Sequence, residues 1–240
     1  MASETAGRPS GRGVRAWSAS CLVIGAMALG LAAALNPTPT GGHAAEVLQV
    51  SMQPDDRCVA MAAALFLGSG ALLLGLPTLL YACNGRARGL GRLAVAVYSI
   101  GVLGSAGYAL LLLFIRGLHT RAVVRPADFP LVVDDMSLGV ALIVWVAAFY
   151  VGLLLLAVAL VRSRRTATWV PVLLVIVVAC LPFVSMTGHI GQVLQVLLFT
   201  IAMTGIAINA VRDAPQPPSD GGHARSVHRT PRQGRNVRAG

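Results

Sequence analysis

Six long, continuous apolar stretches constrain the fold of this chain more than any other feature. None of them contains Asp, Glu, Lys, Arg or His. Each has about the 20 apolar residues that a helix needs to cross a bilayer, whereas the strands of a membrane barrel would be segments of about ten residues with alternating polarity. The sequence therefore predicts six transmembrane α-helices, at residues 17–35, 58–83, 93–115, 136–161, 169–186 and 190–211.

The composition leads to the same fold class. Hydrophobic residues make up 56 % of the 240 residues and charged residues only 12 %, against about a quarter charged in a soluble domain. Residues 1–16 and 212–240 are rich in Gly, Pro, Ser and Arg and are predicted to be disordered. We expect an all-α integral membrane protein in which residues 17–211 form one six-helix transmembrane bundle, without a soluble domain.

The arginines predict the orientation of the bundle. Fifteen of the 19 basic residues lie in the N-terminus, the second and fourth loops and the C-terminal tail, and the other four are Arg57, Arg116, Arg121 and Arg125. The positive-inside rule assigns the side with 15 arginines to the cytoplasm. The prediction is a multi-pass protein of the cell membrane with both termini in the cytoplasm. All the basic residues are arginine, which suggests a GC-rich bacterial genome.

A cleaved signal peptide is the alternative interpretation of the first stretch. Arginines precede an apolar core, and small residues follow around His43-Ala44-Ala45. Cleavage there would leave five spans and an external N-terminus. The apolar run is longer than a usual signal core, and the residues NPTPTGG separate it from the cleavage point, so we favour a retained first helix.

Two acidic pairs are the strongest candidates for chemistry. Asp55 and Asp56 precede the second span, Asp134 and Asp135 precede the fourth, and His119 belongs to the same outer side. These four carboxylates are the catalytic candidates, and Asp134, Asp135 and His119 are the metal-binding candidates, because carboxylate and imidazole groups bind divalent cations. The alternative, which we favour, is that these aspartates cap helix N-termini. A DDxxD diphosphate-binding motif is absent.

Polar residues at the start of the last span are candidates for ligand binding. His189, Gln192 and Gln195 are spaced three apart, so they lie near one face of a helix. Amide side chains in membrane helices more often hydrogen-bond to neighbouring helices, and we favour that packing role. In the third span, Gly101, Gly104 and Gly107 predict close helix contacts, with this span at the centre of the bundle and touching two neighbours.

Several functional classes find no support in the sequence. It contains no Walker, GxSxG, HExxH or CxxC motif, and its loops are too short to hold a cofactor, so no cofactor is predicted. The four cysteines lack the spacing of a disulfide framework or metal site. The arginines of the C-terminal tail lack the interleaved aromatic residues of nucleic-acid-binding segments. We expect this tail to bind anionic lipid and not nucleic acid.

Two functional hypotheses remain. The first is a non-catalytic protein: an accessory subunit with a membrane-protein partner, or a permease-like protein for a neutral or lipophilic compound. An apolar core without ionisable groups favours it, because ion carriers need such groups in the membrane. The alternative is a membrane-embedded enzyme acting on a lipid or isoprenoid, terpene-cyclase-like or a lipid transferase, through its outer-face carboxylates. Convergence of the two aspartate pairs on one cavity would favour the enzyme.

Overall fold

The protein is described here by a computed structural model that covers residues 11–36, 56–84, 87–121, 136–164 and 166–212. These residues form six α-helices and no strand, which confirms the all-helical prediction for this part of the chain. The helices are α1 (Gly11–Ala34), α2 (Asp56–Ala82), α3 (Arg88–Thr120), α4 (Met136–Ser163), α5 (Trp169–Ala179) and α6 (Leu181–Arg212). Every helix except α5 contains a segment that is apolar and long enough to cross a membrane.

The helices form a ring in chain order. Each helix packs against the next one, and the main contacts of α6 include α1, which closes the ring. Helices that follow each other in the chain are therefore adjacent in the bundle, as is usual for consecutive elements. The main contacts of α3 are with its two predicted neighbours, α2 and α4. However, α2 and α6 each pack against three helices. These two helices are therefore more central than α3, which the glycines of α3 had placed at the centre of the bundle.

Neighbouring helices run antiparallel around the ring. Asp56, at the start of α2, contacts Arg116 near the end of α3, and a side-chain bond joins Asn36, after α1, to Gln192 in α6. One end of the bundle, called here the arginine end, therefore collects most of the described arginines. They are Arg15, Arg88, Arg92, Arg162, Arg164 and Arg212. The opposite end carries Asp56, Arg57, Arg116, His119 and Arg121.

Glycines let the backbones of adjacent helices come close. In the α1–α2 pair, a Cβ added at Gly75 would lie 2.9 Å from the Cα of Leu22. In the α3–α4 pair, Phe149 occupies the space beside Gly101, and a Cβ at Gly152 would lie 2.5 Å from the Cα of Tyr98. The close contact predicted at Gly101 is therefore present, whereas a Cβ added at Gly107 would meet no atom of another helix within 4 Å.

Apolar side chains cover both the inside and the outside of the bundle. The main core contains fully buried residues from all six helices, among them Leu22, Leu72, Tyr98, Leu153, Leu174 and Ile206. Large apolar residues are also exposed on every helix, for example Ile24, Leu67, Leu103, Ile143, Val172 and Leu197. A chain that is apolar on both surfaces suits a lipid surrounding better than water.

The fifth predicted span, residues 169–186, is not one continuous helix. It divides into α5, which has 11 residues and a length of about 16 Å, and the first residues of α6. The break at Cys180 has a chemical cause: Pro182 has no backbone N–H to give to the carbonyl of Val178, so the hydrogen bonds of α5 cannot continue unbroken into α6. Gly188 then interrupts α6 with φ 64° and ψ −145°.

Candidate functional site

The described interior contains one hydrogen-bonded polar cluster that joins three helices. Gln195 of α6 is buried, and its Nε2 donates to the carbonyl oxygen of Val177 in α5 at 2.8 Å. The same Nε2 lies 3.3 Å from the Tyr150 hydroxyl oxygen of α4 and donates to it. We refer to Val177, Tyr150 and Gln195 as the Gln195 cluster.

The end of α5, at the break at Cys180, explains why a polar side chain is needed at this point. The last four carbonyls of an α-helix have no partner within the helix. One of these, the carbonyl of Ile176, accepts a bond from the backbone of Cys180 at 2.8 Å. The next one, the carbonyl of Val177, accepts the Gln195 side chain instead. The Gln195 cluster therefore satisfies a helix end that lies among apolar residues.

A second polar contact lies one turn closer to the opposite end. The Nδ2 of Asn36 donates to the Oε1 of Gln192 at 3.0 Å. Gln192 and Gln195 bond to different parts of the bundle, Gln192 to a residue just beyond α1 and Gln195 to residues of α4 and α5. These bonds are interhelical packing contacts, whereas ligand binding by either residue stays a prediction. The side chain of His189 lies outside the described part.

Aromatic rings extend from the Gln195 cluster towards the arginine end. The ring centroids of Tyr150 and Phe149 are 5.5 Å apart, and those of Phe149 and Tyr98 are 5.4 Å apart. Phe199 of α6 packs against Phe149 from across the ring of helices, at 6.0 Å. These contacts fill the middle of the bundle with aromatic side chains of α3, α4 and α6.

The acidic candidates are described only in part. Asp56 is fully exposed at the first position of α2, and its Oδ1 lies 3.2 Å from an Arg116 nitrogen. His119 is half-buried near the end of α3. Asp55, Asp134 and Asp135 lie outside the described residues, so convergence of the two aspartate pairs stays a prediction. In the part of the chain that is described, no three His, Cys, Asp or Glu side chains come close enough to bind a metal together.

Sequence reasoning missed the partners of the glutamines. Tyr150 lies within an apolar run of α4, and Asn36 lies just beyond α1. A signal for both was available, because a hydroxyl or amide group surrounded by apolar residues needs a hydrogen-bond partner. The sequence did not indicate which helix would supply that partner.

Comparisons with known proteins add no assignment. The described geometry consists of neutral hydrogen-bonding groups inside the bundle and charged groups at its two ends. No family model, no curated protein and no solved structure matches the chain.

Proposed function

We propose that the chain is a multi-pass protein of the bacterial cell membrane, with six spans and both termini in the cytoplasm. Two observations support six spans in place of five. Trp169 of α5 lies beside Gly205 of α6, and Val177 lies beside Gln195. In both contacts the two residues are about equally far along the chain from the same point, which is close to Gly188. Such symmetry is expected of an antiparallel hairpin in which α5 and the first residues of α6 together make one crossing.

The orientation is supported by residues at the arginine end. Most of the described arginines are collected there, as the positive-inside rule expects of the cytoplasmic side. Trp17 and Trp169 are exposed at the same end, and the Arg15 guanidinium carbon lies 4.1 Å from the centroid of the Tyr81 ring. Exposed aromatic residues of this kind are enriched at both surfaces of a membrane, so they support the placement of this end at a membrane surface, and the arginines support its orientation.

Reporter fusions test this topology. We expect a reporter that is active only in the cytoplasm to be active when it is fused after residues 86, 165 or 240. A reporter that is active only outside should work when it is fused after residues 45 or 128. An external signal from the C-terminal fusion would contradict the six-span arrangement, and an external N-terminus would indicate a cleaved first helix.

For function, we propose a non-catalytic, permease-like protein for a neutral or lipophilic compound. The observation that carries this proposal is the end of α5 inside the bundle, where the carbonyl of Val177 in its last turn accepts a hydrogen bond from the neutral side chain of Gln195. Interrupted helices in transporters provide such backbone groups at substrate sites near the middle of the membrane. None of the buried described residues is Asp, Glu, Lys, Arg or His, so the interior suits an uncharged solute.

Vesicle swelling tests the permease. The protein is reconstituted in liposomes, and entry of glycerol and urea is followed by light scattering after rapid mixing. We expect faster entry of at least one probe than in protein-free vesicles, and a loss of that increase in Gln195→Leu. Leu194→Ala changes an exposed residue of the same helix and serves as the control. Equal rates with and without protein for both probes would contradict permeation of small polar solutes.

The accessory-subunit form of the proposal is favoured by α4. This helix is the least buried of the five candidate spans, and none of its described residues before Gly152 is buried. A membrane-protein partner that packs on this half of α4 would cover Val140, Ile143 and Val144. Photocrosslinking from position 143 in membranes tests it, with position 103 of α3 as the control. We also expect the C-terminal arginines to bind anionic lipid.

A further inference from the structure

Three buried side-chain atoms of the described residues have no hydrogen-bond partner. They are the Tyr98 hydroxyl oxygen, His119 Nδ1 and Thr166 Oγ1. His119 lies near the end of α3 and Thr166 lies between α4 and α5, and both residues are only half-buried, so water at the ends of the bundle is close to them. Tyr98 differs because it is fully buried and belongs to the main core.

Tyr98 is held in place by its surroundings. Gly152 of α4 lies so close that an added Cβ would be 2.5 Å from the Cα of Tyr98. The ring of Phe149 packs against the phenol ring. Val95 and Val102, one turn away in each direction along α3, are also buried. The phenol is therefore confined to the core, where its hydroxyl is separated from the water at either end.

An unpartnered hydroxyl at this depth is unfavourable. Transfer of a hydroxyl group from water to an apolar surrounding is costly when no hydrogen bond replaces those to water. Phenylalanine would fill nearly the same volume without that cost. A buried polar group without a partner among the described residues is therefore explained most simply by a bound molecule that is not part of the chain.

We propose that the Tyr98 hydroxyl binds a small neutral molecule inside the bundle by donating a hydrogen bond to an oxygen atom of that molecule. The molecule is expected to be uncharged because no buried described residue is Asp, Glu, Lys, Arg or His. A water molecule and the carbonyl or hydroxyl oxygen of a neutral organic compound share this chemistry. The site adjoins the Gln195 cluster through Phe149 but shares no hydrogen bond with it. It does not depend on the proposed permease activity.

The sign of the stability change in Tyr98→Phe tests this inference. If the hydroxyl binds a molecule, the substitution removes a hydrogen bond and leaves that molecule's acceptor unsatisfied, so we expect the Tm of the full chain in detergent to fall by about 2–4 °C. If nothing is bound, removal of an unsatisfied hydroxyl leaves the Tm unchanged or raises it, and the proposal is overturned. Tyr150→Phe, which removes the bond from Gln195, is the positive control.

Spectroscopy and mass spectrometry provide the second measurement. The difference between the ultraviolet resonance Raman spectra of wild type and Tyr98→Phe isolates the phenol bands that report hydrogen bonding. We expect a donating phenol, and a non-bonded phenol would overturn the proposal. Native mass spectrometry then separates the two sources of the ligand. A stoichiometric organic molecule that is lost in Tyr98→Phe identifies a compound, whereas a donating phenol without such a molecule identifies water.

Discussion

Individual glycines have different roles in this protein, although their side chains are identical. Gly188 has φ 64°, a backbone conformation that residues with a Cβ rarely adopt. Gly152 lies against the backbone of Tyr98, where no Cβ fits. A Cβ added at Gly139 or Gly107 would meet no atom of another helix within 4 Å. These differences decide which substitutions the fold can tolerate.

Gly188→Ala is expected to destabilise the protein. The combination of φ 64° and ψ −145° is accessible almost only to glycine, and forcing it on alanine costs about 1–3 kcal/mol. The measurement is the midpoint of thermal unfolding in detergent. In Gly107→Ala, by contrast, the new methyl group meets open space in a helix, so the midpoint should stay or rise slightly. Equal midpoints for the two variants would mean that residue 188 is not strained.

At the scale of the elements, two prolines have opposite consequences. Pro77 lies inside α2, which continues to Ala82. Next to it, the Ser18 hydroxyl of α1 donates to the carbonyl oxygen of Leu74 at 3.0 Å, and the Thr78 hydroxyl donates to Ser18 at 2.9 Å. Pro182 instead follows the end of α5. Near each proline, a backbone carbonyl accepts a hydrogen bond from a side chain of a neighbouring helix. The helix nevertheless continues past Pro77 in α2, whereas α5 ends before Pro182.

The α3–α4 contact depends on Gly152. In Gly152→Ala the new methyl group would meet the α3 backbone, which cannot rotate away as a side chain can, so the helices must separate. We expect a loss of about 1–3 kcal/mol, as for other overpacked cores, measured by reversible unfolding in SDS. Gly139→Ala on the same helix is the matched control and should be neutral or slightly stabilising. A neutral Gly152→Ala would show that the two helices are farther apart.

The Gln195 cluster is expected to stabilise the broken helix. Gln195→Leu leaves the carbonyl of Val177 unsatisfied among buried residues, which costs about 1–3 kcal/mol. Gln192→Leu removes a bond to Asn36 in a half-buried position, where the loss should be about 0.6 kcal/mol. Unfolding of both variants under the same conditions gives the comparison. A larger loss of unfolding free energy in Gln192→Leu than in Gln195→Leu would contradict the role assigned to Gln195 at the end of α5.

For the whole molecule, the contact between α1 and α6 closes the ring. A Cβ added at Gly30 would lie 3.7 Å from a methyl carbon of Val196, and the Thr200 hydroxyl donates to the carbonyl oxygen of Ala26 at 3.2 Å. Helices that are far apart in the sequence therefore meet along much of their length. Closure also brings the start of α1 and the end of α6 to the same end of the bundle.

Cysteine pairs test this closure. The double variant Gly30→Cys/Val196→Cys, in a chain whose native cysteines are replaced by alanine, should form a disulfide on mild oxidation, because a Cβ at residue 30 lies 3.7 Å from a γ-methyl carbon of Val196, in the region that the Sγ of a cysteine at residue 196 can reach. The shift in electrophoretic mobility on reduction measures it. Gly30→Cys/Val158→Cys places the second thiol on the exposed face of α4 and should stay reduced. A crosslink in the control alone would exclude the ring order.

Much of this architecture follows from the sequence by itself, because the length and polarity of a segment are local properties. The apolar stretches determined where the helices lie, and the arginines determined which helix ends share a side. The packing role of Gln192 and Gln195 was also the favoured interpretation. Asp56 could be assigned to the start of α2 from the sequence, although its contact with Arg116 could not.

Only the tertiary structure decided the features that depend on contacts between distant residues. The division of the fifth span at Cys180 is stabilised by Gln195, 18 residues from Val177 along the chain. The ring closes through α1 and α6, and Tyr98 is left without a hydrogen-bond partner among the residues described. Apolar helices of similar length can pack in many orders, and the choice depends on how glycines and polar groups of different helices fit together.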